Sequence, residues 1–208
     1  MADLPLTRFS IMRSNPMSDT LNALLCSASD GAWQLYSYAS ALVYYNGENL
    51  YRRIPQALKY RRDFRTGRYF ASMLGQELAA SGLYSDVSAV IPVPLHWTRE
   101  LKRGYNQADF IAREVASCLG TEALCGRRNP LMRRHRTGTQ TKLGSEGRAM
   151  NVRDAFTLRS SLPDCGHVLL VDDVFTTGAT LSACIMAIRT ASGPSLRISV
   201  ATLAFVDN

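Results

Sequence analysis

The chain has 208 residues, of which 46% are apolar, and this is enough for one hydrophobic core of ordinary size. Its 24 Lys and Arg against 17 Asp and Glu give a formal net charge of +7, which predicts attraction to anions, including nucleotides and nucleic acid. No apolar run approaches the roughly 20 residues that cross a bilayer, so we expect a cytoplasmic protein with no membrane span. The five cysteines are scattered and form no C-x-x-C pair, which predicts neither a disulfide framework nor structural zinc.

The amino-terminal part contains the least regular pattern. Residues 1–30 combine mixed polarity with weak periodicity, which predicts a partly ordered leader, and residues 31–208 are assigned to one domain. Within it, Trp33–Tyr45 is rich in tyrosine and valine and is predicted to pair at the edge of a sheet. Helices are expected around Leu50–Leu58 and, from the spacing of apolar residues, over about Gly67–Ala80.

Three apolar runs farther along the chain predict buried strands. They lie at Ser88–Pro94, at Val168–Val174 and at 197–205. Helices are expected between them, one of which is capped by Asn106 and ends at Gly120. The pattern predicts an α/β fold: a doubly wound, mainly parallel sheet of about five strands flanked by helices.

The most informative stretch follows the strand at Val168–Val174. Asp172 and Asp173 stand at its carboxyl end, where open α/β sheets bind ligands, and strand alternation directs them to opposite faces. The next residues offer hydroxyls, a glycine and the start of a helix: Thr176, Thr177, Gly178, Ala179 and Thr180.

This combination of residues predicts a site for a sugar phosphate. Backbone N–H groups at a helix start, the positive end of its dipole and threonine hydroxyls all favour a bound phosphate. Two acids beside a phosphate need another partner, such as sugar hydroxyls or a divalent cation. The alternative is a strand-turn-helix corner whose threonines cap the helix and whose acids are solvated.

Two motifs resemble those of a known family. The string Val168–Thr180 resembles the phosphoribosyl-pyrophosphate (PRPP) motif of type I phosphoribosyltransferases. Ile91–His96, followed by Arg99 and Arg103–Ala108, resembles the signature of the ComF/GntX branch, which is associated with DNA uptake in competent bacteria. The resemblance runs from about Ala39 to the carboxyl terminus. It implies that the acid pair holds the ribose hydroxyls, with Mg²⁺ bound indirectly through PRPP, and that the threonine-glycine loop holds the 5′-phosphate.

The resemblance also implies a pyrophosphate site in the loop after the strand at Ser88–Pro94. Arginine forks engage phosphate oxygens two at a time, which suits a dense polyanion. The residues in question are Leu95, His96, Arg99 and Arg103, together with Lys59, which stands where the family has a recurrent lysine. His96 and Lys59 have simpler alternatives, as a structural or exposed histidine and as a solvated lysine.

A long polar stretch at about 127–153 matches the position of the flexible lid that closes over PRPP in type I enzymes. The family's recurrent residues are present there as Arg136, Thr137, Gln140, Leu143, Arg148, Asn151, Ala155 and Phe156. The alternative is a basic arm for nucleic acid.

One departure from the family concerns zinc. Typical members carry an amino-terminal four-cysteine zinc module, whereas the matching region here retains only Cys26. One thiolate cannot build a tetrahedral zinc site, so we expect no structural zinc.

Three hypotheses for function follow. The first is a phosphoribosyltransferase that binds PRPP, or a related ribose phosphate, with Mg²⁺ and transfers the phosphoribosyl group to an acceptor that the sequence leaves open, with release of pyrophosphate. Its catalytic residues would be Asp172, Asp173, Arg99 and Arg136, with Arg103 also offsetting the charge of the leaving pyrophosphate.

The second hypothesis is a non-catalytic DNA-uptake factor that binds single-stranded DNA through the basic segment and its aromatic neighbours, Trp97 and Tyr105. The third is a PRPP-sensing regulator. The oligomeric state, including a homodimer, is left open by the sequence.

Overall fold

The computed structural model describes residues 16–26, 35–45, 64–95, 104–134, 155–162, 166–192 and 194–206. Its helices are α1 (Pro16–Cys26), α2 (Phe64–Ala80), α3 (Gln107–Leu119) and α4 (Ala179–Ala191). Its strands are β1 (Ala39–Tyr45), β2 (Ala89–Pro92), β3 (Glu122–Ala123), β4 (Leu131–Arg133), β5 (Phe156–Leu158), β6 (Gly166–Phe175) and β7 (Leu196–Val206). A short 3-10 turn occupies Gly126–Arg128.

Five of these strands form one sheet in the order β1-β7-β6-β2-β3, and every neighbouring pair is parallel. The prediction of an α/β fold with a mainly parallel five-stranded sheet is therefore confirmed. Among the described strands, Ala39–Tyr45 lies at the edge of the sheet, as predicted for the Trp33–Tyr45 region. Its partner is β7, so the first strand of the sheet pairs with the last, in a register that runs from Ala39↔Val200 to Tyr45↔Val206.

The alternation of side chains along β6 divides the core into two layers, one on each face of the sheet. Val168 and Leu170 pack into a cluster that includes residues of α1 and α4. Leu169 and Val171 belong to a second cluster, built from α2 and α3. Because both faces are covered by helices, β6 is apolar at consecutive positions, as expected of a strand buried on both sides.

Helix α3 begins and ends where the sequence predicts. Asn106 is its N-cap, and the side-chain Oδ1 accepts the N–H of Ala108 at 3.2 Å. Gly120 ends the helix in the left-handed conformation at φ +66°, and its N–H bonds to Ala116 O. Helix α3 packs closely on α2 because Gly75 has no side chain: a Cβ there would lie 2.8 Å from Cys118 Sγ.

Helix α1 was not predicted. Its Met17, Leu21 and Leu25 are all buried in the core cluster that includes α4, and the Tyr36 hydroxyl donates to Ser18 O at 3.0 Å. The four-residue spacing of these apolar side chains is the helical signal, but it spans only three turns. Residues 16–26 therefore belong to the folded domain.

The first part of the segment predicted as a lid is folded. Residues 127–134 are folded, in the 3-10 turn and in β4, which pairs antiparallel with β5. Arg134 N–H continues this pairing to Ala155 O at 2.8 Å. The remainder of the predicted lid, like the predicted helix around Leu50–Leu58, lies outside the described residues. Within the described part of the chain, none of the helices combines the length and apolar character needed to cross a membrane.

Candidate functional site

The predicted acid pair lies near the carboxyl end of β6, which is flanked by β2 and β7. Asp172 lies in register with Thr202 of β7, and both acids are half-buried. Asp172 Oδ1 accepts the backbone N–H of Asp173 at 2.8 Å. Since the strands are parallel, the segments that follow β2 and β6 leave the sheet at this same edge, where open α/β folds bind ligands.

Strand alternation places Asp172 on the same face of the sheet as Val168 and Leu170, which pack with residues of α4. Burial within α4 raises the pKa of Cys184 well above its ordinary value, the negative charge of Asp172 adds to this rise, and the positive charge of Arg133 opposes it. The effect of the Asp172 charge on Cys184, a residue of α4, agrees with this position. Strand alternation directs Asp173, the next residue, to the other face.

The loop after β6 holds the predicted phosphate-binding residues. Thr176 and Thr177 are exposed, Gly178 is buried, and Ala179 and Thr180 begin α4. The N-cap is Gly178 rather than a threonine, and a glycine has no side chain that could bond to the first turn. The alternative in which a threonine serves as the N-cap is therefore wrong, and the positive end of the helix dipole faces the end of the sheet that carries the acids.

Gly178 cannot be replaced by a larger residue without displacing its neighbours. Its φ is +74°, which L side chains rarely adopt, and a Cβ would lie 2.6 Å from Phe175 Cζ and 3.0 Å from Leu24 Cδ1. Phe175 is fixed in turn by Phe205, with ring centroids 5.3 Å apart. Helix α1, which carries Leu24, thus supports the turn before α4.

The end of β2 lies beside the acid pair, because Pro92 is in register with Val171 of β6. Val93 N–H donates to Val171 O at 2.8 Å, and the half-buried Leu95 follows two residues later. The structure therefore brings Leu95 to the same sheet edge as Asp172, Asp173 and the loop 176–180. The other predicted site residues, His96, Arg99, Arg103, Lys59 and Arg136, lie outside the described residues, and their roles stay predictions.

Arg133 is a neighbour of the site that the sequence had not singled out. Its guanidinium carbon lies 5.2 Å from the centre of the Phe156 ring, and its positive charge lowers the pKa of Cys184, opposite to the effect of Asp172. The available signal was the alternation in β4, where Leu131 is buried, Met132 exposed and Arg133 half-buried. In a run of several arginines, that alternation is easily read as a solvated basic segment.

Among the described residues, the acid pair offers two carboxylates to a metal ion. In the described residues no three His, Cys, Asp or Glu side chains lie close enough together to hold a metal ion. Carboxylate oxygens are nevertheless suitable ligands for Mg²⁺, which is commonly held by one or two carboxylates plus substrate phosphates and water. Asp172 and Asp173 fit that arrangement.

A second polar cluster lies at the opposite, amino end of β6 and β7. His167 Nδ1 lies 2.8 Å from Asp86 Oδ1, and His167 Nε2 lies 2.7 Å from Ser199 Oγ. This order of groups is that of an Asp-His-Ser triad, but His167 and Ser199 are both 0% exposed. Ser199 Oγ also accepts the N–H of Tyr38 at 3.2 Å, so the buried His167 and Ser199 bond to groups of the protein, while the Asp86 side chain is 53% exposed.

Comparison with known proteins gives relatives that are named for competence or DNA utilization. No protein-family model matches the chain. Competence protein F of Haemophilus influenzae is 41% identical over 96 residues, which cover 45% of this chain and 41% of that protein. DNA utilization protein YhgH of Salmonella typhi is 33% identical over 130 residues, covering 60% and 55%. Competence protein ComFC of Streptococcus pneumoniae is 30% identical over 124 residues, covering 60% and 50%.

These relatives support the ComF family. The resemblance drawn from the two sequence motifs is confirmed at this level. The chain spans between 41% and 55% of the length of these three ComF-family relatives, so what the whole relatives do is not carried over to it directly. Whether the chain lacks the zinc module of the ComF family stays a prediction.

Two solved structures resemble the fold at a lower level. Both have a TM-score of 0.42 and 18% identity, and the matches cover 64% of this chain and 25% of theirs. One is the glutamine PRPP amidotransferase from B. subtilis, and the other is described as the allosteric regulatory enzyme of purine biosynthesis. At this TM-score the likeness carries no conclusion about substrate or reaction.

Proposed function

We propose that the chain binds PRPP, or a related ribose phosphate, together with Mg²⁺ and transfers the phosphoribosyl group to an acceptor with release of pyrophosphate. One observation carries the proposal: an acid pair on a central parallel strand leads within a few residues to a helix whose N-cap is a buried glycine at φ +74°. A glycine is required there by both conformation and packing, and the exposed threonines beside it are not explained by capping.

Each part of the ligand has a chemical counterpart in this arrangement. The 5′-phosphate would accept hydrogen bonds from the backbone N–H groups at the start of α4 and from the hydroxyls of Thr176, Thr177 and Thr180. The ribose hydroxyls would donate to Asp172 and Asp173, since carboxylates are acceptors only. The diphosphate would then lie toward the end of β2, where Leu95 leaves the sheet.

The reaction breaks the bond from ribose C1 to the pyrophosphate oxygen and forms a bond from C1 to the acceptor, with pyrophosphate leaving with the bonding electrons. Positive charge develops on C1 as that bond breaks, and the carboxylates near the ribose would stabilise it. Mg²⁺, when bound through the ligand and facing Asp172 and Asp173, would supply positive charge against the departing diphosphate. The predicted contributions of Arg99, Arg103 and Arg136 to this step are part of the proposal.

The proposal is tested by the same substitution at the two ends of α4. Thr177→Ala removes one hydroxyl from the phosphate site and should weaken PRPP by about tenfold to a hundredfold, because a hydrogen bond to a charged group is worth on the order of 1.5–3 kcal/mol. Thr190→Ala removes a hydroxyl that bonds to Met186 O at 2.8 Å near the far end of the helix, and should leave affinity unchanged. Both are measured by calorimetric titration of PRPP with Mg²⁺.

An absence of binding heat in the wild-type chain, or equal affinities for the two variants, contradicts the proposed site. A chain that binds PRPP tightly yet releases no pyrophosphate with any nucleobase or amine acceptor contradicts the transfer step alone. That outcome would favour a PRPP-sensing regulator.

A second candidate function is binding of single-stranded DNA, which the names of the relatives and the net charge of +7 favour. In the described part of the chain, Arg127 and Arg134 are exposed on either side of β4. This candidate predicts an affinity for oligonucleotides that falls steeply with salt concentration. Fluorescence anisotropy over a salt series measures it, and no binding at low ionic strength rules it out.

A further inference from the structure

Two buried asparagine side chains donate hydrogen bonds to the last carbonyl of β2 and to the carbonyl that follows it. Asn129 Nδ2 donates to Pro92 O at 2.9 Å, and Asn106 Nδ2 donates to Val93 O at 3.0 Å. These asparagines are 4% and 8% exposed. Side chains therefore hold the point at which β2 leaves the sheet, two residues before Leu95.

The Asn129 side-chain amide takes the place of a backbone hydrogen bond between β2 and β3. On the outer side of β2, Leu124 N–H donates to Val90 O at 2.9 Å, directly after β3 has ended at Ala123. The next outward-facing carbonyl is that of Pro92, and the Asn129 side chain reaches it where the neighbouring strand does not continue. Pro92 has no N–H, so this one donor completes its pairing on that side.

Asn129 is also bound to the hairpin formed by β4 and β5. Its Oδ1 accepts the N–H of Leu131 at 2.9 Å, at the start of β4. Its carbonyl oxygen accepts Arg159 Nε at 2.6 Å, directly after β5, and its own N–H donates to Gly126 O at 3.2 Å. The backbone and side chain of one residue thus join the end of β2 to both strands of the hairpin.

We propose that Asn129 is a positioning residue for the diphosphate part of the ligand. This inference rests on the proposed function, in which the diphosphate lies against the segment that leaves β2. Losing the bond to Pro92 O leaves a buried carbonyl without its donor and frees the strand end to move. A shift there changes contacts to the diphosphate but leaves the loop 176–180, which is fixed by Phe175 and Leu24, in place.

The substitution Asn129→Asp removes the N–H donor to Pro92 O and adds a negative charge beside that carbonyl. An aspartate keeps the oxygen that accepts from Leu131 N–H but has no N–H to donate to Pro92 O. The matched control is Thr121→Val, because Thr121 Oγ1 donates to Ser88 O at 2.7 Å and so holds the other end of the same strand. PRPP and ribose 5-phosphate, each with Mg²⁺, are titrated into both variants and the wild type.

We expect Asn129→Asp to weaken PRPP about tenfold, equivalent to about 1.4 kcal/mol, and to change ribose 5-phosphate less than about twofold. Thr121→Val should change neither affinity. The ratio of the two affinities is the deciding quantity, because a general loss of folded structure would weaken both ligands alike. Arg159→Ala, which removes an exposed partner of Asn129, should shift the ratio in the same direction and decides the matter if Asn129→Asp does not fold.

An unchanged ratio in Asn129→Asp, with Thr177→Ala still weakening both ligands, overturns this inference and leaves the proposed function standing. A wild-type chain that binds neither ligand overturns both. A ratio changed as much by Thr121→Val as by Asn129→Asp also overturns the inference, because the effect would then belong to β2 as a whole.

Discussion

Carboxylate and hydroxyl side chains lie at both ends of β6 and β7, but they differ in their exposure to solvent. At the amino end, Asp86, His167 and Ser199 bond to one another and to the backbone in a network whose histidine and serine are 0% exposed. At the carboxyl end, Asp172 and Asp173 are half-buried and lead to exposed hydroxyls. The difference shows that a triad-like order of groups is not a site unless a substrate can reach it, whereas a less familiar arrangement at an accessible edge can be one.

The hydrogen-bond directions of the amino-end network follow from its members. Ser199 Oγ accepts the N–H of Tyr38, so its own hydrogen is available to His167 Nε2. His167 is then the neutral tautomer that carries a proton on Nδ1 and donates it to Asp86. Asp86 is also paired with Arg197. His167 and Ser199 are thus buried and bonded within the protein, and the exposed Asp86 is bonded to His167 and Arg197.

The largest effect is expected from Gly178→Ala, which changes the turn between the carboxyl end of β6 and the start of α4. The methyl group would lie 2.6 Å from Phe175 Cζ at a strained φ, so we expect a loss of roughly 2–4 kcal/mol of unfolding free energy and no detectable PRPP binding. Chemical denaturation and calorimetric titration measure the two effects. Gly82→Ala is the control, since Gly82 has a φ of +71° but nothing within 4 Å of its added Cβ. Equal effects of the two substitutions would contradict the role given to Phe175 and Leu24.

Ser199→Ala, at the amino end, is expected to lower stability without changing the affinity for PRPP. It leaves His167 Nε2 and the N–H of Tyr38 without their partner in the interior, which costs about 1–3 kcal/mol. The affinity of the folded protein for PRPP should stay unchanged, because no member of the network reaches the ligand. Denaturation with urea and titration at a temperature well below unfolding separate the two quantities. A selective loss of affinity would contradict the assignment of this network to structure alone.

A smaller effect is expected on the pH dependence of the unfolding free energy, through His167 at the amino end of β6. Burial lowers the pKa of His167 below 6.5, although its hydrogen bond to Asp86 works in the other direction. His167 in the unfolded chain then binds a proton more readily than in the folded one. Its contribution to the unfolding free energy is therefore fully present above about pH 6.5 and decreases as the pH falls below that value. In His167→Asn, whose amide can still donate to Asp86, this dependence should be weaker.

Unfolding free energies of wild type and His167→Asn at a series of pH values measure that difference. Burial opposes ionisation of Asp86, but the hydrogen bond from His167 and the charges of His167 and Arg197 lower the pKa of Asp86, so its own contribution is lost only in stronger acid. Parallel curves for the two proteins between pH 7 and 5 would show that His167 is not the titrating group.

The sequence was most informative where local chemistry and fold agree. Consecutive apolar residues at Val168–Val171 predict a strand buried on both faces, and Asn106 and Gly120 mark the ends of α3, because each signal is complete within a few residues. The acids and the loop after β6 follow from the same strand. Their nearness to Leu95 follows in turn from the general rule for parallel sheets.

What the sequence did not reveal depends on distant parts of the chain. Leu24 supports Gly178 only because α1 packs near the turn before α4, and Asn129 replaces a sheet rung only because β3 ends early. Neither residue type is unusual in its local context. The pairing of Asp86 with His167 joins residues 81 positions apart, and no local pattern announces it.

A crystal structure of the chain with PRPP and Mg²⁺ tests the central claim most directly. The account predicts the 5′-phosphate at the N–H groups that begin α4, beside Thr177, and the ribose hydroxyls within hydrogen-bond distance of Asp172 and Asp173. A ligand bound at any other place, with the turn before α4 empty, would contradict it.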